Sequence, residues 1–98
     1  MPKIYEYLGI AIYIYLGDHK PIHIHAKYDN NEVKVAFWIK EGKIVKTTYT
    51  PLKGKFTDAK MRDLKKFVSV FKETIVQLWY QISVWEIPVS PVKITKRI

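Results

Sequence analysis

The stretch IHIHAKYDNNEVKVAFWIK, Ile22 to Lys40, decides the fold. Its first seven residues alternate. Ile22, Ile24 and Ala26 fall on one side of an extended chain and His23, His25 and Lys27 on the other, because successive side chains of a strand point to opposite faces. The residues that follow, Asp29, Asn30 and Asn31, tolerate positive φ, so Asn30-Asn31 reads as a two-residue hairpin loop. The alternation then resumes from Glu32, with Val33, Val35, Phe37 and Ile39 on the apolar side and Lys34, Ala36 and Trp38 on the polar side. A loop at Asn30-Asn31 sets Lys27 opposite Lys34 and His23 opposite Trp38, and two directly opposed lysines repel unless an anion lies between them.

Working outward, Ile10, Ile12, Ile14 and Leu16 alternate with Ala11, Tyr13 and Tyr15, which makes another one-sided strand ended by Gly17, Asp18 and Pro21. Downstream, Lys40 to Lys43 (KEGK) turns the chain into a short, less regular strand near Ile44 and Val45, followed by a loop containing Pro51 and Gly54. Thr57 and Asp58 then carry the signature of a helix start, an oxygen for an orphan amide and an acid for the N-terminal dipole. Met61, Leu64, Phe67, Val68, Phe71, Ile75, Leu78, Trp79 and Ile82 recur at three-and-four spacing and form one apolar stripe. A stripe needs a surface to cover and a one-sided sheet needs a cover. The expectation is an α+β fold: a small antiparallel sheet of three to four strands, with one long C-terminal helix, or one broken near Lys72, packed on one face. Residues 1–85 read as a single domain and 86–98 (EIPVSPVKITKRI) as an extended basic tail, since two prolines preclude a helix there.

Composition bounds the function classes. At 98 residues the chain builds one core, and 48% apolar with 27% charged residues is the make-up of a globular domain rather than a disordered one. Cysteine is absent, which removes disulfides and thiolate zinc sites and points to a cytoplasmic protein. LGIAIYIYLG, Leu8 to Gly17, is too short to cross a bilayer as a helix, so no membrane partner is expected of it. A net charge of +8 and a pI near 9.7 predict attraction to polyanions without choosing among nucleic acid, anionic lipid and an acidic protein.

A helix on one face leaves the other face open, and that face carries Tyr13, Tyr15, His23, His25, Lys27, Lys34, Trp38 and Lys40. Aromatic surfaces for bases and lysines for phosphates are what single-stranded nucleic-acid binders combine, so Tyr13, Tyr15, Lys27, Lys34, Trp38 and Lys40 are the candidate contacts. Against this stands the ordinary solvated sheet face, or an interface for a protein partner or a second copy in a homo-oligomer.

All three histidines lie within seven residues: His19, His23 and His25. One reading is a site for a divalent transition metal on His23 and His25 with His19 or Asp18 as a further ligand, although nothing demands a cofactor. Another takes His19, His23 and His25 as catalytic acid–base groups with Asp18 as orienter, permitting RNA cleavage without a metal. Glu32 is expected to be out of reach at the far end of the hairpin. The third reading is a polar strand face on which histidines happen to stand.

The run Gly9-x-x-Ile12 and then Asp18-His19-x-Pro21-x-His23-x-His25-Ala26, followed by a hairpin and a tryptophan-bearing helix, resembles a family of small bacterial proteins known as domain of unknown function 4160. The resemblance runs from Lys3 to Trp85, with Ile22 and Ile24 where that family often has proline and phenylalanine. It implies a small antitoxin-like protein partner and a role as the toxin member of a toxin–antitoxin pair. The functional expectation is therefore a toxin-like, ribonuclease-type factor acting on RNA through a face of histidine, lysine and aromatic residues. Its alternative is a non-catalytic protein-binding module whose histidines shape, or hold a metal at, an interface.

Overall fold

The computed structural model describes residues 2–14 and 21–98. Six strands and one helix follow in the order β1 (Lys3–Tyr7), β2 (Ile10–Ile14), β3 (Ile22–Tyr28), β4 (Asn31–Lys40), β5 (Lys43–Lys53), α1 (Asp58–Ser83) and β6 (Val92–Ile94). They make one sheet in the order β5-β4-β3-β2-β1-β6. The first five strands are antiparallel neighbours and β6 runs parallel to β1. The α+β class holds, but the expected sheet of three to four antiparallel strands is too small and misses the parallel edge.

Three local facts account for the difference. Lys3–Tyr7 forms a strand because Leu8, at φ +48°, and Gly9, at φ +85°, make a tight turn that pairs Tyr7 with Ile10. A leucine in the left-handed region is not something composition announces. Lys43–Lys53 is one long strand through Pro51, which is tolerated because β5 is an edge strand and needs no outward amide at that position. Finally, Val92–Ile94, in the segment expected to be an extended tail, lies along β1.

The hairpin register also differs from the expected one. Tyr28 pairs with Asn31, so the loop is Asp29-Asn30, with Asp29 at φ +53°. Asn31 stays in the strand, where its Oδ1 accepts the amide of Lys55 at 3.2 Å. Gly54, at φ +60°, fits against that side chain, where an added Cβ would come within 2.0 Å of Oδ1. The partners become Lys27 with Glu32, His25 with Lys34 and His23 with Ala36. The expected oppositions of Lys27 with Lys34 and of His23 with Trp38 do not occur. A slip of two residues on one strand preserves the faces, so the apolar set still points one way.

That set, Ile10, Ile12, Ile14, Ile22, Ile24, Val33, Val35 and Phe37, is buried beneath α1. The helix starts at Thr57, whose side chain accepts the Lys60 amide at 3.2 Å, with Asp58 in the first turn, and it runs unbroken past Lys72. Its Leu64, Phe67, Val68 and Ile75 are buried. Phe67 stacks on Tyr7 and Phe71, with ring centroids 5.6 and 5.0 Å apart, and meets Tyr5 edge-on at 5.2 Å. No helix among the described residues is long and apolar enough to cross a membrane.

Candidate functional site

Because Ile22, Ile24 and Ala26 go under the helix, β3 presents His23, His25 and Lys27 on the opposite face, beside Tyr13 of β2, which pairs with His25. From β4 the same face receives Glu32, Lys34, Ala36 and Trp38, and from β5 Lys46, which pairs with Trp38. The two histidines are not solvated as expected. His23 is 8% and His25 9% exposed, with ring centroids 5.6 Å apart, and the small Ala36 stands opposite His23.

Each ring is oriented by an acceptor. His23 Nδ1 lies 3.1 Å from the Pro21 carbonyl oxygen. His25 Nδ1 is hydrogen-bonded to Glu32 Oε2. A carbonyl oxygen and a carboxylate oxygen accept, so both contacts suit a ring that donates from Nδ1. The carboxylate also supplies a counter-charge whenever His25 carries a second proton. Glu32 was expected to be out of reach. It meets His25 because the actual register sets it opposite Lys27, one diagonal step from the ring.

The cationic and aromatic groups sort into two clusters. Lys27 Nζ sits 4.9 Å from the Tyr13 ring centroid, so that aromatic face is already covered by a cation. Trp38 is 45% exposed. Around it stand Lys46 directly across and, at the hairpin end, Lys40 directly opposite Lys43. The opposed lysine pair thus exists, but next to Trp38 rather than next to the histidines. Lys43 and Lys46 were not candidates because their strand was read as a short one. Tyr15, Asp18 and His19 lie outside the described residues, and with them the expected third metal ligand and the expected orienter. Among the described residues no three potential ligands gather as a metal site.

The fold is thus a mixed sheet with one face under a helix and the other carrying basic, aromatic and imidazole groups. The chain belongs to the family described as domain of unknown function DUF4160, whose model matches residues 9–80. No curated protein and no solved structure matches it.

Proposed function

We propose that this chain is a cytoplasmic, toxin-type factor that binds and cleaves single-stranded RNA on the open face of the sheet. The observation that supports this most is the pair of imidazoles 5.6 Å apart, each fixed through Nδ1 to an acceptor, in a lysine-bearing surface. Trp38 stacks a base while Lys40, Lys43 and Lys46 hold the backbone beside it. The strand continues toward the histidines, where Lys34, opposite His25, faces the reacting phosphate.

In this reading His23, oriented by a neutral carbonyl, accepts the proton of a ribose 2′-hydroxyl as its oxygen attacks the adjacent phosphorus. His25, with Glu32 balancing its charge, donates a proton to the 5′-oxygen as the P–O5′ bond breaks. The products are a 2′,3′-cyclic phosphate and a 5′-hydroxyl. His23 is left protonated and His25 neutral, and exchange with water resets both. Lys34 offsets the charge that builds on the phosphorane oxygens.

A second reading draws on the depth of the two rings. At 8% and 9% exposure they serve equally as buried polar ties between β3, Pro21 and β4, and the face around them then binds a protein partner without chemistry. Cleavage of a fluorescent single-stranded RNA separates the two. The first reading expects His23→Ala and His25→Ala each to lower cleavage by about a hundredfold or more while RNA affinity changes little. Cleavage absent from the wild type, with salt-insensitive binding, leaves the second.

A further inference from the structure

The sheet ends on one side at β5, whose eleven residues are hydrogen-bonded along β4 alone. Among the described residues no other backbone group bonds to its outer side. A long open edge normally invites pairing and is blunted by charge, proline or a bulge. Here Pro51 and the irregularity after Glu32 blunt the far end, and a second irregularity between Ile44 and Lys46 interrupts the near one, which leaves Lys46 to Thr50 in unbroken register with β4.

The two sides of this edge differ. On the helix side a cavity of about 520 Å³ lies between the start of β5 and the second half of α1, lined by Ile39, Ile44, Val76 and Tyr80 together with Lys43, Glu73 and Gln77. On the open side the edge carries Lys46, across from Trp38. We infer that β5 is a docking edge for an extended segment of another protein, added as a seventh strand along Lys46 to Thr50, in which apolar residues on the helix side alternate with acidic residues facing Lys46. Charge argues against a second copy of this chain. Two β5 strands joined antiparallel over their full length would oppose Lys43 to Lys53, and would bring together two chains of +8 each. The inference concerns the strand edge rather than the histidine face, and it does not depend on RNA cleavage.

The probe is a capped decapeptide of alternating glutamate and valine, added to the full chain at low salt. Amide exchange at Lys46 to Thr50 should slow at saturation, affinity should fall with added salt, and the lysine–valine counterpart should bind at least roughly tenfold more weakly. Of two versions N-methylated on alternate residues, the one whose methyls face β5 should lose binding, because the contact is backbone hydrogen bonding. Unchanged exchange along β5 at saturation, equal affinity for the two peptides, tolerance of both methylation patterns, or dimerisation of the free protein through β5 would each overturn the inference.

Discussion

Glu32 is the residue on which the proposed chemistry turns, because its carboxylate is hydrogen-bonded to Nδ1 of His25. Glu32→Gln keeps an oxygen that can accept from Nδ1 but removes the counter-charge, whereas Glu32→Ala removes both. If His25 delivers a proton, Glu32→Gln lowers cleavage and changes the acid–base limits of the pH–rate profile. Glu32→Ala lowers cleavage further, and both leave RNA binding close to wild type. A carboxylate that merely tied β4 to β3 would alter stability and leave the shape of that profile unchanged. Sequence alone pointed to His23 and His25 through their spacing, since two residues apart in a strand means one face. It did not reveal Glu32, because the diagonal contact depends on the loop being Asp29-Asn30 rather than Asn30-Asn31. Asn31 is an equally good turn former, and in the strand it pairs with Tyr28 while its side chain accepts the amide of Lys55, far away in the chain.

At the scale of elements, the turns carry testable strain. Gly9 and Gly42 sit at φ +85° and +77°, but an added Cβ on Gly9 would lie 3.1 Å from the Tyr28 ring while one on Gly42 would meet nothing within 4 Å. Both alanine substitutions should cost about 1–2 kcal/mol for the left-handed backbone. Gly9→Ala should cost more, as read from denaturant midpoints. The parallel edge is sensitive to acid. The hydrogen bond from Lys3 at 2.9 Å, together with the charges of Lys3 and of Lys93 at 3.4 Å, holds the Glu6 carboxyl below its ordinary range. A depressed carboxyl stabilises the fold above its unfolded pKa and loses that contribution as pH falls through the folded value. Most of that contribution lies within β1, between Lys3 and Glu6, and the Lys93 share, which ties β6 to β1, should be lost as pH falls through the folded value, seen as concerted amide shifts at Val92 to Ile94. The elements that were legible, β2, β3, the inward side of β4 and α1, are those with one strongly apolar side. β5 was under-read because an edge strand is exposed on both faces and can hold a proline, and β1 because its turn begins with a leucine.

Across the whole molecule, one aromatic knot joins the helix to the late-read strands. Phe67 is fully buried against Tyr5, Tyr7 and Phe71, so Phe67→Ala should cost about 3–5 kcal/mol, a large part of the roughly 5–15 kcal/mol that holds a domain together. A shift of that size in the denaturant midpoint, with β1 and β6 loosening alongside α1, would show that the sixfold sheet folds as one unit. The helix packs on the face opposite the histidines, and if the histidine face binds RNA as proposed, the net +8 adds a general attraction to the polyanion. The most direct measurement is the chemical identity of the ends produced when single-stranded RNA is incubated with the wild-type chain and with the His23→Ala and His25→Ala variants. New 2′,3′-cyclic phosphate and 5′-hydroxyl ends with the wild type, lost in both variants while they still bind RNA, is the predicted result; intact RNA with the wild type, or ends that both variants produce equally well, would contradict it.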